Sequence, residues 1–220
     1  MPETYKNQKI IAVSCFILFI FVSVLSIQNH LISLDQVIIR AVREPLPPFI
    51  AELMGKATKI GSGEVILIIT VIIGFYLIIR KMSGYTILLF SLVFGGILLN
   101  FALKVLFQRE RPGEMSVIEV FGYSLEISSY SFPSGHTMRS VILFSFLIYL
   151  CYHLISKQLI KITATLFLVG IILTVALSRI VTGAHFPTDI FAAVTISITW
   201  FYVCLMAYRK WFTVFNPNTH

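Results

Sequence analysis

Six apolar runs, each close in length to a membrane-spanning helix, constrain the fold of this chain more than any other feature. A spanning helix needs about 20 mostly apolar residues, with a range of about 17–25. The runs cover residues 10–27, 63–79, 84–106, 137–155, 159–177 and 188–208. They predict an all-α integral membrane bundle of six transmembrane helices, in which the first run is a retained anchor.

Composition excludes a soluble class. The 220 residues are 57% hydrophobic and only 12% charged, whereas soluble domains are about 45–50% apolar and about 25% charged. We expect one membrane domain over residues 1–220. The net charge of +7 does not indicate nucleic-acid binding, because basic runs interleaved with exposed aromatic residues are absent from the sequence. No obligate protein partner is evident, and the expected partners are membrane lipids.

Residues 31–62 differ from the six runs. Apolar side chains recur there at helical spacing behind a proline-rich break at residues 45–48. The stripe consists of Phe49, Ile50, Leu53, Met54, Ala57 and Ile60. We interpret this segment as a short amphipathic helix in the membrane interface. The alternative is a helix packed on the soluble side of the bundle.

Short basic loops predict the topology. Arg80 and Lys81 lie in one such loop, and Lys157 and Lys161 in another, which favours both as cytoplasmic. Both termini are then cytoplasmic, including a tail from about residue 209 to 220, and the other loop ends face outward. The cysteines, Cys15, Cys151 and Cys204, lie within apolar runs and are expected to be small buried side chains.

Three polar islands stand at the ends of apolar runs on the predicted outer side. The first contains Lys104, Arg111 and Pro112. Lys104 and Arg111 are seven residues apart and share a helix face if the helix continues that far. Taken alone, cations at such a position commonly reach the lipid headgroups.

The second island is Pro133-Ser134-Gly135-His136. Ser134 is a plausible N-cap, and the backbone N–H groups at a helix start bind anions readily. Arg139 lies one turn further on, where it contacts either a substrate or an acid such as Glu126.

The third island contains Ser178, Arg179, His185 and Asp189. Pro187 suits the first turn of a helix, which places His185 in the preceding loop and Asp189 in the first turn. The Asp189 carboxylate can then accept one ring N–H of His185. An oriented neutral imidazole is what a nucleophilic or basic histidine requires.

These islands together resemble the three-part signature of the type-2 phosphatidic acid phosphatase superfamily, in its membrane branch of lipid phosphate phosphatases. The resemblance extends over residues 60–205. It implies that His185 attacks phosphorus, that Asp189 orients it and that His136 acts as general acid. It also implies that the phosphoryl oxygens bind to Lys104, Arg111, Ser134, Gly135 and Arg179. Pro133, Ser178 and Arg139 are weaker candidates, and the resemblance implies no metal and no cofactor.

The resemblance is greatest to bacterial phosphatidylglycerophosphatases and undecaprenyl-diphosphate phosphatases. The expected function is therefore hydrolysis of a lipid phosphate, with phosphatidylglycerophosphate as first choice. Undecaprenyl diphosphate and phosphatidic acid are the alternatives. Two further hypotheses are an anion transporter and a relative that binds lipid phosphate without hydrolysis. Polar groups at one membrane edge, rather than at mid-membrane, argue against the transporter.

Overall fold

Helices make up most of the chain. The computed structural model describes residues 2–112, 118–120, 123–125 and 130–215. The α-helices described are α1 (Pro2–Ile27), α2 (Ile32–Arg43), α3 (Pro48–Ala57), α4 (Gly63–Ile79), α5 (Ser83–Phe107), α6 (Gly135–Leu154), α7 (Gln158–Val181) and α8 (Pro187–Phe215). A 3-10 turn, Thr58–Gly61, joins α3 to α4.

Five of these helices, α1, α5, α6, α7 and α8, are long and apolar enough to cross a membrane. Helix α4 has 17 residues and follows the segment Pro48–Gly61 at a bend of 47°, and the two together form a sixth candidate span. The chain is therefore a multi-pass membrane protein. Helix α4 coincides with the predicted run at 63–79, and α8 continues to Phe215, so the predicted tail begins as helix.

The segment between the first two runs holds two helices, where the sequence predicts one. Helix α3 carries the predicted apolar stripe, but only part of the stripe is covered by protein. Phe49 and Leu53 are exposed, whereas Ile50 and Met54 are half-buried. Helix α3 packs against α7. Helix α2, which the sequence analysis misses, places Asp35 in the interior with no exposed surface.

A small hairpin adds two strands to an otherwise helical structure. Strand β1 (Ile118–Val120) pairs antiparallel with β2 (Tyr123–Leu125), and Glu119 lies opposite Ser124. The hairpin lies in the connection from α5 to α6, beyond the ends of the spanning helices.

Helix α6 lies at the centre of the bundle, in contact with α5, α7 and α8, while α1 packs along α8. The core contains Leu88, Leu89 and Leu92 of α5 with Met138 and Leu143 of α6. Apolar side chains of α4 and α7 are exposed, as a lipid-facing surface requires. The three cysteines are free and half-buried rather than fully buried.

Candidate active site

The chain direction of the last four spanning helices brings the three polar islands together. Helices α5 and α7 end where α6 and α8 begin, so the residues that flank these four ends meet at one end of the bundle. Backbone contacts fix the arrangement. The Ser134 N–H donates to the Asp189 carbonyl oxygen at 3.2 Å, and the His185 N–H donates to the Arg179 carbonyl oxygen at 3.2 Å.

His185 and Asp189 form the centre of the site. Helix α8 begins at Pro187, as the sequence predicts, which leaves His185 in the loop and Asp189 in the first turn. The His185 Nδ1 atom lies 3.4 Å from Asp189 Oδ2, and that oxygen also accepts a hydrogen bond from the Phe186 N–H at 2.9 Å. Both side chains are buried. The carboxylate therefore fixes the imidazole through Nδ1 and leaves Nε2 as its second nitrogen.

The surroundings of His185 favour its neutral form. Burial lowers the pKa of His185 to about 4, although the hydrogen bond and the charge of Asp189 both oppose this shift. Arg111 and Arg179 also face the ring and disfavour a second positive charge there. The imidazole is consequently unprotonated at neutral pH, with a lone pair available.

The second island forms the start of α6. Ser134 is the N-cap, and its hydroxyl oxygen accepts a hydrogen bond from the Thr137 N–H at 3.5 Å. Gly135 opens the helix in close quarters, because a Cβ there would lie 3.0 Å from Asn100 Oδ1. The Pro133 carbonyl oxygen accepts a hydrogen bond from the Asn100 side chain at 3.2 Å.

His136 follows in the first turn of α6, where the charged and titratable groups around it are Arg179, Arg139, His185 and Arg111. Arg139 lies 3.5 Å from His136 Nδ1 and donates through Nε and Nη2 to the Gly61 carbonyl oxygen at 3.3 and 3.2 Å. Its alternative partner, Glu126, lies outside the described residues.

The three predicted phosphate-binding cations converge, although not all by the predicted route. A helix that continued to Arg111 would place Lys104 and Arg111 on one face, as predicted. Helix α5 instead ends at Phe107, and Gln108 takes a left-handed conformation, so the two residues do not share a helix face. Lys104 donates to the Tyr130 carbonyl oxygen, and Arg111 donates to the Ala184 carbonyl oxygen at 3.3 Å. Burial lowers the pKa of Arg111, and the charge of Asp189 opposes this shift.

Arg179 differs from the other two in its hydrogen bonding. Its Nη1 atom donates to Thr58 Oγ1 at 2.8 Å. Its Nε–H is buried and has no hydrogen-bond acceptor among the described residues. A buried donor without an acceptor is costly unless an anion satisfies it. Ser178, beside it, directs its hydroxyl to the Val175 carbonyl oxygen of its own helix at 2.6 Å.

The sequence did not predict four polar side chains at this site: Asp35, Asn100, Arg109 and Ser131. Ser131 donates to Asp189 Oδ2, and Arg109 contacts Asp189 Oδ1 at 2.6 Å and Asp35 Oδ2 at 2.9 Å. Asn100 carried a signal, because a lone amide within an apolar run is expensive in a membrane. Nothing in the sequence around Asp35 indicated its role, since its partners lie far away along the chain.

Comparison with known proteins is consistent across sequence and structure. The family model of the PAP2 superfamily matches residues 84–213. Phosphatidylglycerophosphatase B of Bacillus subtilis (strain 168) is 31% identical over 198 residues, which cover 87% of this chain and 91% of that protein.

Two solved structures resemble the bundle. The first is a transmembrane PAP2-type phosphatidylglycerolphosphate phosphatase from Bacillus subtilis. It matches with a TM-score of 0.78 and 26% identity over 90% of this chain and 96% of that one. LpxE of Aquifex aeolicus shares the fold, with a TM-score of 0.59 and 22% identity over 79% of this chain and 95% of its own.

Proposed function

Because the chain belongs to the PAP2 superfamily, we propose that it is a lipid phosphatase that releases phosphate from phosphatidylglycerophosphate and leaves phosphatidylglycerol. The observation that carries this proposal is the buried His185–Asp189 pair, which is surrounded by Arg111 and Arg179 at one end of a membrane bundle. The similarity to phosphatidylglycerophosphatase B supports the choice of lipid.

In the first step, His185 Nε2 attacks the phosphorus atom. A new P–N bond forms while the bond from phosphorus to the lipid oxygen breaks and its electron pair leaves with that oxygen. His136 donates a proton to the leaving oxygen. The positive charge that develops on the imidazole is stabilised by Asp189, whose carboxylate lies 3.4 Å from Nδ1.

In the second step, water attacks the phosphohistidine. His136, now unprotonated, accepts a proton from that water, and the P–N bond breaks and returns its electron pair to Nε2. Division of a difficult hydrolysis into two transfers is the general advantage of covalent catalysis. Phosphate leaves, and both histidines return to their starting states.

The cations supply the charge stabilisation. Phosphoryl transfer depends mainly on positioning and on neutralisation of the equatorial oxygens. Lys104, Arg111 and Arg179 are assigned to these oxygens, together with Ser134 and the Gly135 backbone at the start of α6. The Arg179 Nε–H, which has no acceptor in the part of the chain that the structure describes, supports this assignment. Donor groups that are fixed before the reaction reduce the reorganisation that accompanies it.

We further propose that the site faces the outside of the cell membrane, with both termini in the cytoplasm. Short basic loops at Arg80–Lys81 and Lys157–Lys161 support this orientation. The chain then forms one membrane domain, in which residues 104–189 carry the catalytic groups. A lipid substrate enters from the outer leaflet with its phosphate at the interface.

Phosphate release tests the function. Purified protein in mixed micelles is assayed side by side on phosphatidylglycerophosphate, undecaprenyl diphosphate and phosphatidic acid. We expect fastest release from phosphatidylglycerophosphate, and loss of release from every lipid in His185→Ala. The matched control is His153→Ala, which removes a histidine at the opposite end of α6.

The two parts of the proposal fail separately. Faster turnover of undecaprenyl diphosphate or phosphatidic acid, still dependent on His185, rejects the choice of lipid and keeps the phosphatase. Absence of release from all three lipids by the wild-type protein rejects the phosphatase itself.

A further inference from the structure

An arginine links the catalytic carboxylate to a second buried carboxylate on another helix. Arg109 Nη1 lies 2.6 Å from Asp189 Oδ1, and Arg109 Nη2 lies 2.9 Å from Asp35 Oδ2. Neither carboxylate has exposed surface, and the Arg109 side chain is 9% exposed. The three side chains form an alternating chain of charges: negative, positive and negative.

Thr188, at the start of α8, forms hydrogen bonds with both Asp35 and Arg109. Its N–H donates to Asp35 Oδ1 at 2.9 Å, and its hydroxyl donates to Asp35 Oδ2 at 2.7 Å. The same hydroxyl oxygen accepts a hydrogen bond from Arg109 Nη1 at 2.7 Å. Asp35 therefore caps α8 from α2, across 153 residues of sequence.

We propose that Asp35 and Arg109 are positioning residues for the catalytic pair: they fix the Asp189 carboxylate and preserve its negative charge toward His185. The inference rests on the proposed function, since it concerns the nucleophile of that reaction. Neither residue belongs to the signature by which the sequence analysis assigned the site.

The assignment of the two Asp189 oxygens supports the positioning role. Oδ1 is occupied by Arg109, while Oδ2 accepts from the Phe186 N–H and Ser131 and faces His185 Nδ1. Rotation of the carboxylate would break the contact with Arg109. Because His185 takes its orientation from Oδ2, the angle at which Nε2 meets phosphorus depends on Arg109.

Charge explains why a second carboxylate is needed. Arg109 alone, in contact with Asp189, would cancel much of the negative charge that stabilises a phosphorylated imidazole. The other cations near Asp189, Lys104 and Arg111, act in the same direction. Asp35 balances the charge of Arg109 in a buried environment, where water screens it little. Arg109 and Asp35 together then hold Asp189 in place, and the negative charge of Asp189 still stabilises the imidazole of His185.

The test is a neutral, nearly isosteric change. Asp35→Asn keeps the size of the side chain and an acceptor oxygen but removes the charge. We expect kcat for lipid phosphate to fall about 10- to 100-fold, by analogy with the loss that follows when the hydrogen-bond partner of a metal-ligating residue is removed, while KM stays close to the wild-type value. Glu44→Gln is the matched control, since it removes one negative charge from the exposed C-cap of α2.

Inhibition by two anions separates positioning from a structural role. Orthovanadate imitates the five-coordinate phosphoryl group and depends on the nucleophile, whereas inorganic phosphate depends on the groups that bind the phosphoryl oxygens. In Asp35→Asn we expect the vanadate Ki to rise by the same factor as kcat falls, with the phosphate Ki unchanged. Arg109→Lys keeps the charge but presents a single nitrogen, so it should show the same selective loss even if Asp35→Asn folds poorly.

Three outcomes overturn the inference. Folded Asp35→Asn or Arg109→Lys with wild-type kcat and vanadate Ki rejects the role of these residues in positioning. Equal weakening of vanadate and phosphate in both variants assigns them to structure alone. Both results leave the phosphatase intact, because the wild-type protein and Glu44→Gln still release phosphate. A wild-type protein that is inactive on every lipid rejects the function, and the inference with it.

Discussion

At the scale of single residues, the nucleophilic role proposed for His185 makes its protonation state decide when the site can react. A protonated imidazole has no lone pair at Nε2, so only the neutral form attacks phosphorus. The surroundings act against each other: burial, Arg111 and Arg179 disfavour the charged ring, while Asp189 favours it. Burial is the largest of these effects.

We therefore expect the acid limb of kcat/KM near pH 4 rather than near the ordinary histidine pKa of 6.5. Activity rises with pH through this limb as His185 loses its proton. The measurement is kcat/KM as a function of pH, with the substrate concentration at each pH expressed as that of one ionic form of its phosphate. Ionisation of the substrate then does not contribute to the profile. A limb near 6.5 would show that His185 is more solvated than its burial indicates.

At the scale of structural elements, the 3-10 turn Thr58–Gly61 supports the start of α6. Its last residue, Gly61, accepts two hydrogen bonds from Arg139 and lies against the neighbouring helices. A Cβ at Gly61 would lie 2.7 Å from Val175 Cγ1, 2.9 Å from Ser140 Oγ and 3.1 Å from the His136 carbonyl oxygen. A side chain there must displace at least the Val175 side chain of α7 and the Ser140 hydroxyl of α6.

We expect Gly61→Ala to destabilise the protein by about 1–3 kcal/mol, as overpacking usually does, and to reduce kcat by moving His136. Gly55→Ala is the control, because nothing lies within 4 Å of a Cβ at that position and alanine is favoured in a helix by about 1 kcal/mol. Thermal unfolding in detergent and phosphate release measure both variants. Equal stability and activity of the two would contradict a close-packed turn at Gly61.

Most elements, but not all contacts, could be predicted from the sequence. The apolar runs locate the spanning helices because lipid-facing and buried positions are both apolar, and Pro187 marks the start of α8. Helix α2 escaped detection because it carries no long apolar run. The ion pairs of Arg109 could not be predicted, since its partners are 74 and 80 residues away and only the fold brings them together.

At the scale of the whole molecule, orientation in the membrane decides which leaflet supplies the substrate. Single cysteines are placed at two exposed positions of a cysteine-free protein, Glu44→Cys on the site side and Lys157→Cys at the start of α7. We expect an impermeant maleimide to label Glu44→Cys in intact cells, and Lys157→Cys only after permeabilisation. The reverse pattern would place the site in the cytoplasm.

The most direct test of the account is capture of the phosphohistidine. Protein is mixed rapidly with lipid labelled at its terminal phosphate, quenched in alkali and digested, and the labelled peptide is sequenced. We expect label on His185, stable in alkali and released by acid, and no label in His185→Ala. Label on another residue, or turnover by His185→Ala at the wild-type rate, would contradict it.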